Sequence, residues 1–237
     1  MKLDILAFGS HPDDVELSCA GVLIRHASSG KKVGIVDLTR GELGTRGSAS
    51  IRLKEAEASR KVIGAAVRDN LGMADGFFTH DKKNILKVIR KIRQYRPDIV
   101  ICNAPFDRHP DHGRGARLVN DACFLSGLLK IRTSLRGKPQ QHFRPRAVYH
   151  YVQFKYLKPD HVVDISAQFE QKMKAIGCFA SQFYDEKSKE PETFISKQDF
   201  MRTYVLRRAE EFGRLANAKY GEGFIGAAAN ESETFLL

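Results

Sequence analysis

The chain has 237 residues, of which 42% are hydrophobic and 28% are charged, a composition typical of folded proteins rather than disordered ones. The length suits one α/β domain, and no window approaches the roughly 20 consecutive apolar residues of a membrane span. The formal net charge of +11 is compatible with a nucleic-acid partner, but no RNP or zinc-finger signature accompanies it. We therefore expect neither nucleic acid nor a membrane as partner, and we leave homo-oligomerisation open.

The amino terminus predicts a first strand rather than a signal peptide, because Asp4 interrupts a short apolar run and no small-residue cleavage site follows. The four cysteines are scattered and form no C-x-x-C pair; they are Cys19, Cys102, Cys123 and Cys178. This spacing predicts reduced, mostly buried thiols rather than zinc ligands. Together these features indicate a cytoplasmic protein.

The predicted elements alternate between strand and helix along the first half. In chain order they are strand Leu3–Phe8, helix Val15–Ser28, strand Lys32–Leu38, helix Ser50–Ile63, strand Asp69–Leu71, helix Asp81–Tyr95 and strand Asp98–Cys102. The second half is less regular. It contains the predicted strands Arg146–Val152 and His161–Ile165, the helices Ala167–Ala180 and Phe200–Ala218, and the loops Lys130–Lys138 and Asp185–Thr193. The alternation predicts a Rossmann-like, doubly wound α/β fold with a mostly parallel sheet, in a single domain over residues 1–237.

Two histidine-acid clusters stand just beyond the ends of predicted strands. The first cluster is His11-Pro12-Asp13-Asp14, after the first strand, and the second is His109-Pro110-Asp111-His112, after the strand Asp98–Cys102. In an open α/β sheet, residues past the carboxyl ends of neighbouring strands line the crevice where ligands bind. A histidine followed by Pro and Asp is also common at capped turns. Two such clusters at equivalent positions favour a metal site over two turns.

The residue types in these clusters suit zinc, because imidazole nitrogens and carboxylate oxygens are both good zinc ligands. His11 and Asp14 are spaced to share one ion, with a histidine of the second cluster as third ligand. Asp13 is then a spare carboxylate placed to act as general base. The remaining histidine has three candidate roles: it polarises a carbonyl, stabilises an oxyanion or protonates a leaving group. Asp111 is a candidate to orient one imidazole.

Further segments match a known family. They include the stretch 37–47, Arg52 with Glu55, Asn70-Leu71-Gly72, 106–112, Ala180-Ser181-Gln182-Phe183 and Tyr220-Gly221-Glu222-Gly223-Phe224. With the two clusters, they resemble the PIG-L/LmbE-like family of zinc-dependent N-acetylglucosaminyl deacetylases over most of the chain. Within it, the set is most similar to the bacillithiol-biosynthesis branch, which deacetylates N-acetylglucosaminyl malate.

The resemblance implies a role for each matched residue and a Zn²⁺ cofactor. His11, Asp14 and His112 match the zinc ligands, Asp13 matches the general base, and His109 matches the histidine that assists the oxyanion or leaving group. Arg52 and Arg108 are similar to arginines that hold the substrate, and guanidinium forks suit carboxylates. The implied substrate is a small anionic sugar conjugate. No tyrosine of the 185–193 region is assigned, Tyr184 being the nearest.

Three alternatives stay open on the sequence alone. Another N-acetylglucosamine conjugate, inositol-linked or a chitooligosaccharide, is a candidate substrate for the same chemistry. A dinucleotide-dependent oxidoreductase has the same kind of sheet, but its first strand leads into a Gly-rich turn rather than into the first cluster. The third alternative is a non-catalytic binding protein that uses the metal pocket or the basic surface.

Overall fold

The computed structural model describes residues 1–226. Its strands are β1 (Ile5–Gly9), β2 (Val33–Thr39), β3 (Val67–Met73), β4 (Ile99–Cys102), β5 (Ser134–Leu135), β6 (Lys138–Pro139), β7 (Ala147–Tyr151), β8 (His161–Asp164) and β9 (Gly221–Ile225). Its helices are α1 (Asp14–Ser28), α2 (Ala49–Ile63), α3 (Lys82–Tyr95), α4 (Pro110–Ser126), α5 (Phe169–Gly177) and α6 (Arg207–Leu215), the last preceded by a π-helical segment, Met201–Leu206.

Seven strands form one sheet in the order β3-β2-β1-β4-β7-β9-β8. The first five are mutually parallel, and β9 pairs antiparallel with both of its neighbours. Strands β1 and β4 lie side by side, with Ala7 opposite Ile101. Because the chain order reverses between these two strands, their carboxyl ends open the crevice in which doubly wound folds bind ligands. The predicted fold class is confirmed, while residues 227–237 of the predicted domain lie outside the described residues.

Helices cover both faces of the sheet, as a mostly parallel sheet requires. On one face the core joins apolar side chains of α1 and α5 with β1, β2 and β4, including Leu23, Ile35 and Ile101. On the other face α3 and α4 pack against the same strands, through residues such as Ile89 and Val119. The fully buried strands β1, β2 and β4 have nearly continuous apolar sequences, which is why they were predictable. No helix of the described chain is long and apolar enough to cross a bilayer.

Helix α4 and strand β9 were not predicted from the sequence. Helix α4 carries Gly113 and Gly115, which lower helix propensity, yet Gly115 is required because a Cβ there would meet the Ser10 hydroxyl. Strand β9 has the composition Gly-Glu-Gly-Phe-Ile, which is poor in strand-forming residues. Both elements are stabilised by tertiary packing rather than by local preference.

Smaller differences concern the ends of elements and one loop. The stretch Lys130–Lys138, predicted as a loop, contains the start of a short β5–β6 hairpin. The predicted helix Phe200–Ala218 begins with the π-helical segment and ends at Leu215. Three of the four cysteines are buried, Cys178 is half-buried, and all four are free, as predicted.

A buried ion pair joins β9 to the helices on one face. Helix α1 has a break at Cys19, where the backbone leaves helical geometry (φ −143°). The Glu222 carboxylate accepts hydrogen bonds from the amides of Gly21 and Val22, at 2.9 and 2.8 Å, just after that break. It also pairs with Lys172 Nζ at 2.6 Å, and both side chains are almost fully buried. Glu222 therefore stabilises the second half of α1 as a helix N-terminal cap would.

We expect Glu222→Ala to lower the free energy of unfolding by about 3–5 kcal/mol, because it leaves the Lys172 charge buried and unpaired. Two buried amides would lose their acceptor as well. The matched control is Glu170→Ala, which removes an exposed pair with Lys174 (3.0 Å) and should change the stability by less than about 1 kcal/mol. Urea denaturation followed by circular dichroism measures both variants. Equal losses would contradict the role given to Glu222.

Candidate metal centre

The two clusters meet at the carboxyl ends of β1 and β4. The loop after β1 is tied to the β4 side by Ser10, whose amide donates to Asn103 Oδ1 at 2.9 Å and whose hydroxyl donates to the Asp111 carbonyl at 2.9 Å. The ring centroids of His11 and His109 lie 4.6 Å apart, and those of His109 and His112 lie 5.2 Å apart. All seven predicted site residues line one cavity of about 250 Å³.

Asp14 is the most extensively bonded group of the centre. Its Oδ2 accepts from the His11 amide at 2.9 Å and from Asn103 Nδ2 at 3.0 Å, and its Oδ1 accepts from Gln153 Nε2 at 2.7 Å. His112 Nε2 lies 3.2 Å from the same Oδ1. Burial acts to raise the pKa of Asp14, but the charges and hydrogen bonds of His112 and His11 outweigh burial and hold it well below its usual range. Asp14 is therefore an ionised carboxylate facing both histidines.

His11 and His112 each have a carboxylate on the nitrogen that points away from Asp14. His112 Nδ1 lies 2.6 Å from Asp107 Oδ2, and His11 Nε2 lies 3.0 Å from Asp75 Oδ1 and 3.4 Å from Asp111 Oδ2. Burial lowers the pKa of each histidine, yet Asp14 together with these acids outweighs burial. The pKa of His112 is raised to about 9 and that of His11 well above its usual value. The surrounding carboxylates thus favour the cationic form of both imidazoles.

His109 is held differently from the other two histidines. It is the N-cap of α4, and its Nδ1 accepts a hydrogen bond from the Asp111 amide at 3.2 Å. This bond leaves Nε2 as the nitrogen that can carry a proton or bind a ligand. Burial, followed by the charges of His11 and His112, lowers the pKa of His109, so its neutral form dominates at pH 7. The described residues place no carboxylate within ion-pair distance of this ring.

Asp13 occupies a strained backbone position beside a buried arginine. Its φ of 115° lies in the region that favours glycine, and its carboxylate makes no helix-capping bond. Arg52 Nη2 donates to Asp13 Oδ2 at 2.9 Å and to the Pro12 carbonyl, and Nη1 donates to the Gly41 carbonyl at 3.3 Å. Burial raises the pKa of Asp13 to about 7, although Arg52 opposes that shift. Gly41, at φ 65°, is required because any Cβ there would overlap the Arg52 guanidinium.

Arg108 and two loops form the outer part of the cavity. The Arg108 guanidinium lies 4.4 Å from the Phe194 ring centroid and 5.4 Å from that of Phe154. Residues 43–46 and residues 193–195 line this part of the cavity. Tyr184 is exposed and does not line this cavity.

The donor set fits a divalent metal ion. Ligand nitrogens of His11, His109 and His112 lie within 4.8 Å of one another, and Asp14 oxygens approach two of these rings. Nitrogen and carboxylate donors in this arrangement suit first-row transition metals. Sequence reasoning missed four residues that bond to the ligand candidates; they are Asp75, Asn103, Asp107 and Gln153. Each follows the carboxyl end of β3, β4 or β7, and that placement is the signal that could have found them.

Comparison with known proteins agrees with this geometry. Residues 6–123 match the PIG-L family, described as GlcNAc-PI de-N-acetylase. The diacetylchitobiose deacetylase of Thermococcus kodakarensis is 26% identical over 230 residues, which cover 92% of this chain and 81% of that protein.

Two solved structures have the same architecture. The conserved protein TT1542 of Thermus thermophilus superposes with a TM-score of 0.83 at 31% identity, covering 95% of both chains. The N,N'-diacetylchitobiose deacetylase of Pyrococcus horikoshii superposes with a TM-score of 0.79 at 26% identity, covering 94% of this chain and 83% of that one. With both histidine-acid clusters in the positions described above, the chain belongs to the PIG-L family.

Proposed function

We propose that this protein is a zinc-dependent hydrolase that removes the acetyl group from an N-acetylglucosamine conjugate, most specifically N-acetylglucosaminyl malate. One observation carries the proposal. His11 and His112 each lie between the ionised Asp14 and a second carboxylate, and the buried Asp13 lines the same cavity. The relatives support the reaction class, since the diacetylchitobiose deacetylases named above act on an N-acetylated sugar. A dinucleotide-dependent oxidoreductase has no support among them.

His11, Asp14 and His112 are the proposed zinc ligands. Metal-binding histidines characteristically donate their other ring N–H to a carboxylate, which orients the ring and raises its basicity. His112 has Asp107 in that position and His11 has Asp75, whereas the Nδ1 of His109 accepts from a backbone amide instead. This difference supports His109 as the histidine that acts on substrate rather than as a third imidazole ligand.

Zinc bound there would polarise the acetamide carbonyl and acidify a water molecule. Asp13, with a pKa of about 7, is the group that accepts the proton of the attacking water. His109 is placed to hydrogen-bond the developing oxyanion through Nε2 or to pass a proton to the departing amine. Arg52 holds the Asp13 carboxylate through a 2.9 Å bond and so fixes the direction of proton transfer. Attack by water and cleavage of the C–N bond yield acetate and the free glucosamine conjugate.

The malate aglycone and the cytoplasmic location are the finer parts of the proposal. The malate rests on the matched sequence segments and on Arg108, whose guanidinium lines the cavity. Across a panel of N-acetylglucosaminyl malate, N-acetylglucosaminyl inositol and diacetylchitobiose, we expect the malate conjugate to have a kcat/KM at least about tenfold above the others. Acetate release measures each rate. A higher kcat/KM for the inositol conjugate or for diacetylchitobiose would contradict malate as the aglycone. The deacetylation reaction would still be supported, with that conjugate as the substrate.

Asp13→Asn should lower kcat for deacetylation by about 10²–10⁴-fold, because the general base is lost, while the zinc content stays near that of the wild type. His112→Ala should lose both zinc and activity, because it removes a ligand. The control Asp121→Asn removes a carboxylate paired with the surface His80 and should retain both properties. Acetate release and elemental analysis are measured on the same preparations. Wild-type turnover by Asp13→Asn would contradict the assigned base.

Zinc binding should release protons and strengthen with rising pH. Ligation requires neutral imidazoles, whereas the pKa of His112 is about 9 and that of His11 is raised well above 6.5. Between about pH 6 and pH 8 we expect the apparent affinity to rise about 100-fold or more, measured by competition with a chromophoric chelator. His112→Gln should reduce this dependence. An affinity that is constant over the same range would contradict histidine ligation.

A further inference from the structure

Arg46 is a buried arginine in the wall of the candidate metal cavity. Its side chain is 5% exposed, and it follows Leu43, Gly44 and Thr45 along the same wall. Among the described residues, its Nε is fully buried and has no hydrogen-bond partner. Its only ion pair among them is with Glu190 Oε2, which lies 3.7 Å from Nε and so beyond hydrogen-bonding distance.

Three other arginines of the described chain with buried side chains donate several hydrogen bonds to protein groups. Arg68 pairs with Glu16 at 2.5 Å and with Asp37 at 2.8 Å. Arg93 donates to three backbone carbonyls and to the Thr133 hydroxyl. Arg52 Nε also lacks a partner, but its two Nη groups donate to Asp13 and to two carbonyls. Arg46 differs from all three, because no comparable set of acceptors surrounds its guanidinium.

A buried guanidinium without acceptors is costly, because it loses its hydration and gains no replacement bonds. The carboxylates that line the cavity do not compensate it: Asp13 is engaged by Arg52, and Asp14 by the histidines, Asn103 and Gln153. Arg108 adds a further positive charge on this lining, stacked on aromatic rings. The cavity lining therefore carries two arginines, Arg46 and Arg108, whose charge no carboxylate of the lining is left to neutralise, and an anionic ligand would do so.

The backbone of Arg46 is held in place on this wall. Gln182 Nε2 donates to the Arg46 carbonyl at 2.8 Å, which links the wall to the segment after α5. On the solvent side, Glu190 Oε1 accepts from the Gly47 amide at 3.1 Å, so its carboxylate stays close to the guanidinium. Glu190 is half exposed, and its charge opposes the attraction of Arg46 for an anion.

We propose that Arg46 binds a carboxylate of the substrate's aglycone and, with Arg108, selects anionic over neutral N-acetylglucosamine conjugates. This inference rests on the proposed deacetylase function and assigns the determinant of its substrate class. Arg52, which the sequence resemblance implied for the same task, has its Nη groups occupied by Asp13, Pro12 and Gly41. Arg46 therefore determines substrate specificity, whereas Asp13 and the histidines are the residues that contact the reacting atoms.

The test compares kcat/KM for N-acetylglucosaminyl malate with kcat/KM for the neutral methyl N-acetylglucosaminide. For Arg46→Gln we expect this ratio to fall at least about tenfold, mainly through KM for the malate conjugate, because a charge-assisted bidentate contact is lost. For Glu190→Gln we expect the ratio to rise about two- to fivefold, since the competing charge is removed while an acceptor for Gly47 is kept. Arg117→Gln, at an exposed position on α4, is the matched control and should leave the ratio unchanged.

A purely structural role for Arg46 would lower both rates together and leave the ratio within about twofold of wild type, and that result would overturn the inference. A lower ratio in Glu190→Gln would overturn it too. If the wild type releases acetate from neither compound, the proposed function is contradicted. The role of Arg46 is then tested by calorimetric titration of the wild type and of Arg46→Gln with N-acetylglucosaminyl malate. Binding at least about tenfold weaker to Arg46→Gln than to wild type would then support it, and equal binding or no binding would refute it.

Discussion

The carboxylate of Asp14 is the interaction on which the rest of the site depends. It is bonded by the His11 amide after β1, by Asn103 after β4, by Gln153 after β7 and by His112 in α4. Three adjacent parallel strands and one helix therefore converge on a single ionised group. Such convergence is possible only where the strand order reverses, because only there do the ends of β1 and β4 open side by side.

The charges around that carboxylate form an alternating arrangement. Negative Asp14 faces two histidines, and each histidine is in turn backed by a carboxylate, Asp107 or Asp75. These carboxylates favour the protonated rings, which is why the pKa values of His112 and His11 are raised in spite of burial. A divalent cation would compensate the charge of these carboxylates and displace the protons. The same fold thus tolerates several buried acids within one small volume.

The arginines of the cavity differ in function because they differ in partners. Both Nη groups of Arg52 are occupied by Asp13 and two carbonyls, so Arg52 sets the position and the charge of the proposed base. Arg46 is equally buried but lacks acceptors, which makes it the better candidate to meet an anionic substrate. Residue type and spacing cannot separate these two roles. The distinction lies in which acceptors the folded chain brings within hydrogen-bonding distance of each guanidinium.

The sequence by itself determined the α/β class and the position of the site, because buried parallel strands are continuous apolar runs and both clusters stand at strand ends. It also proposed His11 and Asp14 as metal ligands, while the choice of His112 over His109 came from the family resemblance. Only the tertiary structure decided that α4 and β9 form, since packing and the buried Glu222 override their poor local propensity. It alone placed Asp75, Asn103, Asp107 and Gln153 around the ligands, and it alone left Arg46 without acceptors. Except for Asp107 and His112, which are five residues apart, these contacts join residues distant in the chain, and no local pattern encodes which distant group fills a given hydrogen bond.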